Sequence, residues 1–248
     1  MYDKEILNLF LYNIQLKIKR LNLSIREIIR KISFFNHLNN DQIELIISIS
    51  KVIKHHKKSI LYHESFTSKH LLFLVKGLVE IYKIDKFNRK AFLYHIHENS
   101  MITELSSIKN NRIINCFSNA KFLEDSIVLY IDSEKFQELF LSKNILTEEL
   151  IEVILKKNYQ LHHIVNRELV FDATAKVAFM LIDDLKMFNK LKRVDISFML
   201  NIQPETLSRV LKNLNRKGII NIKEGEIIIE KKEDLISTFD KIGDKKYN

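Results

Sequence analysis

Apolar positions along this chain change their period several times. In residues 1–31, Ile6, Leu7, Phe10, Leu11, Ile14, Ile18 and Leu21 recur at roughly helical spacing with Lys17, Lys19 and Arg20 between them. That predicts an amphipathic helical extension packed on the body of the protein or on a partner subunit, with a membrane surface as the alternative. Residues 59–62, 71–75, 78–84, 91–97 and 126–131 are short β-rich runs separated by polar turns, the spacing of an all-β sandwich or barrel. Helical period returns in residues 145–169, where Leu146, Leu150, Val153, Ile154, Leu161, Ile164 and Val165 form a stripe broken at Lys156-Lys157-Asn158. The stripe is close to a coiled-coil seam, which marks Leu150, Val153, Ile154, Leu161 and Ile164 as a candidate dimer interface. Packing against its own β unit is the competing use.

The last pattern is the most specific. Leu207, Val210, Leu211 and Leu214 stand at i, i+3, i+4 and i+7, leaving Glu205, Ser208, Arg209 and Lys212 on the opposite face. Pro204 suits the first helical position and Gly218 the stop. Upstream, Ile196 and Leu200 give a buried i, i+4 pair on a short helix, Ser197 is small where two helices cross, and Asn201 tolerates a left-handed turn. Downstream, residues 219–222 and 226–229 flank Lys223-Glu224-Gly225 as a wing hairpin. Helix, turn, helix and wing follow one another, so the second helix reads as a DNA recognition helix. Arg209 can donate twice to guanine, Glu205 can accept from cytosine N4, and Ser208 can serve either edge. Gln203 and Thr206 stand beside them, and Lys212 and Arg216 are placed for phosphate. A merely solvated polar face is the plain alternative for an isolated helix; the turn, the wing and the charge turn the reading towards DNA.

Charge sharpens this reading. The chain has 248 residues, a formal net charge of +9 and a pI near 9.4, which favours an anionic partner. Lysines or arginines at 186, 190, 192, 193, 209, 212, 216, 217 and 223 face only Asp195 and Glu205 as acids in that stretch, so most of the excess surrounds the reader. Apolar and charged fractions of 46% and 29% are those of an ordinary soluble protein. One cysteine, Cys116, excludes an internal disulfide and an all-cysteine iron–sulfur site built from one copy. No apolar run reaches the ~18 residues of a membrane helix and no signal-peptide pattern opens the chain, so a cytoplasmic protein without membrane partners is expected. Nothing supports an enzyme: Asp183-Asp184 is a polar helix face and no nucleophile–base constellation stands out.

The string Glu205-Thr206-Leu207-Ser208-Arg209, after this turn and before a Gly-Ile-Ile wing, resembles the recognition helix of the Crp/Fnr family of bacterial transcription regulators, close to its Fnr branch. Lys58-Ser59-Ile60-Leu61-Tyr62-His63-Glu64, Leu74-Val75-Lys76-Gly77-Leu78-Val79 and Leu123-Glu124-Asp125-Ser126-Ile127-Val128-Leu129-Tyr130-Ile131 resemble pieces of the family's cyclic-nucleotide-binding β-roll. Residues 33–46 look like its first helix, with Asn39 or Asn40 as cap, and residues 170–177 like its hinge, with Asp172 as cap. The resemblance covers residues 32 to about 235. It implies an α+β chain: an N-terminal extension in 1–31, a β-roll (cupin-like double-stranded β-helix) sensor domain in 32–144, a long dimerisation helix and hinge in 145–171, and a C-terminal winged helix-turn-helix in 172–248. It further implies a homodimer on a TTGAT-like palindrome of double-stranded DNA and contact with RNA polymerase. A haem- or other small-molecule-responsive regulator, or a winged helix that binds protein, are the alternatives.

The ligand cassette departs from the family. Nucleotide-binding members have a Gly-Glu-Leu segment and an Arg with a small hydroxyl residue; here Glu104 and Arg112 stand at those places without the Gly and without the hydroxyl. Backbone that approaches phosphate closely usually wants Gly, which argues against cyclic AMP. The N-terminal cysteine cluster of the Fnr iron–sulfur site is missing. Haem stays open through His55, His56, His63, His70, His95 and His97. His162 and His163 lie on the helix whose side chains face the effector pocket in relatives, so Glu104, Arg112, His162 and His163 make up the candidate pocket; a solvated or dimer-interface pair is the competing reading of the two histidines. The effector itself is unknown from sequence.

Overall fold

Five apolar residues in a row, 71–75, leave no wet face on a strand, and the sheet built around them is covered on both sides. The computed structural model describes residues 25–105 and 114–239. Twelve strands are defined there: β1 (Ser50–His55), β2 (Ile60–Tyr62), β3 (Thr67–Ser68), β4 (His70–Lys76), β5 (Val79–Ile84), β6 (Lys90–Ile96), β7 (Ser100–Met101), β8 (Ile114–Asn115), β9 (Asn119–Phe122), β10 (Ser126–Asp132), β11 (Ile220–Lys223) and β12 (Glu226–Ile229). Antiparallel pairing gives one sheet in the order β1-β10-β4-β7, a second in the order β2-β9-β5-β6, and a short β3-β8 ladder. This is the β-roll.

The two faces of β4 serve two cores. Leu72 and Leu74 point into the roll with Val79, Ile81, Ile102, Phe122 and Val128. Leu71 and Phe73 point the other way, onto Phe34, Phe35, Ile43, Ile46, Phe136 and Phe140 from the flanking helices, joined by Leu129 and Ile131 of β10. The covering helices are α1 (described over 25–31), α2 (Asn40–Ser48) and α3 (Ser133–Leu139). Asn39 caps α2 through a reciprocal capping box with Gln42, at 2.9 Å each way. Asn39 is one of the two caps expected from sequence, and a 3-10 turn at Ser33–Phe35 precedes it. Residues 1–24, and with them most of the predicted N-terminal helix, lie outside the described residues, as does Arg112.

Contacts divide the chain into Met1–Lys157 and Asn158–Asn248. The boundary falls within α4 (Thr147–Val165), which ends in a π turn at Asn166–Val170, where the Phe171 amide reaches back to the Asn166 carbonyl at 2.8 Å. The second unit holds α5 (Ala173–Asp183), α6 (Leu185–Lys190), α7 (Arg193–Met199), α8 (Pro204–Arg216), the β11–β12 hairpin and α9 (Lys232–Ile236). Asp172 caps α5 by accepting from the Ala175 amide at 2.8 Å.

Besides the two-residue strands β3, β7 and β8, two longer ones have no clear signature in the sequence. β1 is the edge of its sheet and buries little, so its run Ser-Lys-Val-Ile-Lys-His carries only a weak apolar pattern. β9 is mostly buried, yet it begins with Asn119, whose carboxamide is satisfied by the Glu64 amide and the Tyr82 carbonyl.

Gly77, between β4 and β5, has φ +105°, and a Cβ built on it would sit 2.1 Å from Ser126 Oγ. Gly77→Ala should destabilise the roll by roughly 2–4 kcal/mol in urea unfolding, the sum of overpacking and backbone strain. Pairing it with Ser126→Gly should recover only the steric part. Wild-type stability in Gly77→Ala would show that this turn is not as tight as drawn.

Candidate nucleic-acid interface and roll interior

The reader is assembled by burial on one side of α8. Leu207, Val210, Leu211 and Leu214 are buried while Gln203, Glu205, Ser208, Arg209, Lys212 and Arg216 are exposed and Thr206 is partly so. Asn201 makes the turn between α7 and α8 with φ +51°, and Ile196, Ser197 and Leu200 are buried behind it. At the far end Gly218 (φ +66°) closes the helix: its amide donates to Asn215 O at 2.9 Å and that of Ile219 to Leu214 O at 3.1 Å. This is a Schellman stop, which satisfies two terminal carbonyls and turns the chain into the wing. The wing turns through Glu224 (φ +51°) and Gly225 (φ +87°), both left-handed as a two-residue hairpin loop requires.

The polar face of α8 is mostly uncommitted. Among the described residues, Glu205, Arg209 and Lys212 make no hydrogen bond or ion pair within the protein, whereas the Ser208 hydroxyl donates to Pro204 O at 3.0 Å and Arg216 Nη2 to Asn213 Oδ1 at 3.3 Å. An acceptor, a rotatable hydroxyl and a guanidinium within five residues on one exposed face can engage base edges. Arg193, among the nearby cations, serves the wing. Arg193 donates from Nη2 to Gly225 O at 3.0 Å and lies 5.0 Å over the Phe188 ring, and burial lowers its pKa.

The α4 stripe also divides. Leu150 is buried in its own unit and Val153 packs on the same core, so these two members of the predicted interface are occupied within the subunit. Ile164 is partly buried, and Ile154 and Leu161 are exposed. The free stripe runs instead through Ile151, Ile154, Leu155, Leu161 and Val165, with Asn158 and His162 between them.

Within the roll, Glu104 is present but engaged. Its carboxylate accepts from the Ser118 hydroxyl at 2.6 Å and from the amides of Phe117 and Ser118 at 2.8 and 3.2 Å. Lys157 of α4, predicted only as a break in the stripe, buries its ammonium and donates to Met101 O at 3.2 Å. Burial pushes its pKa down to about 8, against the pull of Glu104. Sequence carried the signal: Lys157 is i+7 from Leu150, on the buried face. Tyr62 Oη is buried without a partner, and burial, with Glu104, Cys116 and Tyr94 nearby, raises its pKa well above the phenolic range. The Cys116 thiol is pushed up to about 11 by burial and then Glu104, which makes it a poor nucleophile.

His162 and His163 part company. His162 is exposed, whereas His163 sits between Tyr159 and Phe179, with ring centroids 3.9 and 4.6 Å away, and both its nitrogens are buried without a partner. Burial holds its pKa below the usual imidazole value, and His162 adds to the shift. Of the other histidines, His55 Nε2 lies 2.9 Å from Tyr130 Oη and His63 Nδ1 3.4 Å from Asn119 Oδ1. No group of three or more His, Cys, Asp or Glu able to hold a metal ion occurs among the described residues. No helix among them is long and apolar enough to cross a membrane.

Comparison with known proteins agrees with both halves of this geometry. Residues 52–143 match the cyclic nucleotide-binding domain, and residues 179–238 match the Crp-like helix-turn-helix domain. The chain is 25% identical over 211 residues to the anaerobic regulatory protein of Bacillus subtilis, covering 80% of this chain and 87% of that one. Solved structures share the fold: a CooA mutant from Carboxydothermus hydrogenoformans (TM-score 0.65, 16% identity, 83% of this chain and 94% of that) and FixK2 from Bradyrhizobium japonicum (TM-score 0.60, 17% identity, 77% and 97%).

The caged imidazole makes stability pH-dependent. Its folded pKa lies below the ordinary 6.5, so the unfolded chain takes up the proton first. The contribution is complete above pH ~6.5 and is lost as pH falls below it. His163→Phe should make melting temperature less steep between pH 7 and 5; an unchanged slope would place the titration elsewhere.

Proposed function

This chain belongs to the Crp/Fnr family of transcription regulators, and from that premise we propose that it acts as a homodimer reading a TTGAT-like inverted repeat with Glu205, Ser208 and Arg209. The observation that carries the reading is the division of α8, whose apolar stripe is wholly buried while Glu205 and Arg209 stand exposed and uncommitted. Arg209 pairs bidentately with the guanine of each half-site, and Glu205 accepts from a cytosine amino group on the paired strand. Lys212 and Arg216 hold the phosphates. One recognition helix reads too few bases for useful specificity, so a twofold pair spaced by about one helical turn of DNA is required.

The exposed stripe Ile151, Ile154, Leu155, Leu161 and Val165 supports α4 as the dimer seam, with Asn158 as the polar residue that fixes its register. Leu150 and Val153 hold α4 to its own roll instead. The engaged carboxylate of Glu104 supports an effector other than cyclic AMP.

Arg209→Ala should relax preference at one symmetric base pair by roughly 1–3 kcal/mol. Lys212→Ala should weaken palindromic and random duplexes alike and flatten the salt dependence. Equal losses on both duplexes for Arg209→Ala, in a gel-shift titration, would reduce that residue to a phosphate contact. For the seam, Ile151→Glu with Leu155→Glu alters only exposed positions and should give a folded monomer in sedimentation, with palindrome affinity dropping to that of a single half-site. A double variant that still sediments as a dimer rules this seam out.

A further inference from the structure

A two-stranded hairpin is marginal by itself in water, and the wing has only four residues in each strand. β11 and β12 pair with one another and, among the described residues, with no third strand. The outer edge of β12 is nevertheless satisfied at its buried residue. Asn189 of α6 donates from Nδ2 to Ile227 O and accepts from the Ile227 amide at Oδ1, both at 2.9 Å. Its carboxamide takes the place of a neighbouring strand. The turn is held as well: Arg193, the first residue of α7, donates to Gly225 O at 3.0 Å and is stacked over the fully buried ring of Phe188. Its Nη1 is buried without a hydrogen-bond partner, while the residue as a whole is half-buried. Lys223, at the last position of β11, is exposed.

We infer that Asn189 and Arg193 are positioning residues that fix the wing against the helix-turn-helix so that Lys223 meets the DNA backbone beside the recognition helix. The inference rests on the DNA-reading function proposed above. It gives the wing a rigid place in the complex: the side chains that hold it come from the helices just before the recognition helix, so the wing cation keeps a fixed offset from Arg209. A cation on a loose hairpin would lose side-chain and backbone freedom on binding; here much of that ordering is already present.

The test is fluorescence anisotropy with the full chain on a TTGAT palindrome and on a random duplex. Asn189→Ala should lower affinity for both duplexes by the same factor, roughly threefold to tenfold, as expected for lost hydrogen bonds acting through position. Lys223→Ala should cost a similar uniform factor and lower the salt slope. The double variant should bind no worse than Asn189→Ala, because a displaced wing no longer delivers its cation. Multiplicative losses in the double variant, or wild-type affinity in Asn189→Ala, would overturn the inference. Asn189→Asp keeps the acceptor for the Ile227 amide but sets an oxygen against the Ile227 carbonyl in place of the donor, so it should bind no better than the alanine variant; wild-type affinity in Asn189→Asp would overturn the inference. Arg193→Lys keeps the charge but loses the planar fork and the stack, so it should bind as poorly as Arg193→Ala. Full binding by the lysine variant would make Arg193 a phosphate contact and overturn its role here. A wild-type protein that does not prefer the palindrome would defeat the function proposed above and this inference with it, whereas wild-type preference with multiplicative losses removes the wing anchor alone.

Discussion

The roll depends on one sheet being dry on both faces. β4 and β10 alternate side chains between the roll interior and the helical layer, so each strand belongs to two cores at once. Shifting either strand by one residue would exchange the two sets and leave both cores mismatched, which pins the register of the central ladder. The helical layer is therefore a condition of the roll rather than a decoration on it. Phe34, Phe35, Phe136 and Phe140 cover what would otherwise be an exposed apolar sheet face. The same layer takes in Leu146 and Leu150, so the start of α4 is fixed by the packing that completes the roll.

Much of this is written in period. The recognition helix, its proline start, its glycine stop, the left-handed Asn201 and the wing follow from local rules, because each residue acts on its own stretch of backbone. The roll was legible as strands and less so as order: β1 and β9 are held by partners distant in sequence, and neither Lys51-Val52-Ile53 nor Asn119-Ala120 announces a strand alone. The α4 stripe shows a different limit. Apolar residues cover more than one face of that helix, and period cannot tell which face the subunit uses and which it leaves free. Leu150 and Ile151 are neighbours in sequence with opposite fates.

The interior chemistry was the least legible. Glu104 is retained from the family's pattern, but its carboxylate is taken by Ser118, fourteen residues away, and this pairing has no sequence signature. Lys157 gives the roll a cation from the helix that leaves it, while Tyr62 places an unpartnered phenol inside. Local charge balance in the roll is thus set by groups from three separate segments. Asn189 and Arg193 are similar: nothing in Lys186-Met187-Phe188-Asn189 suggests that one carboxamide completes the edge of a distant hairpin.

The left-handed turns of the chain are made mostly without glycine. Asn88, Asn99, Asn144 and Asn201 hold φ between +56° and +61° or, at Asn201, +51°. Asparagine tolerates that region at some cost in the folded state, yet it visits fewer conformations than glycine when unfolded. Part of the stability of this protein therefore resides in the denatured ensemble, where turn residues have less freedom to lose. A chain with four glycines and one proline has in this way traded backbone permissiveness for a narrower search during folding.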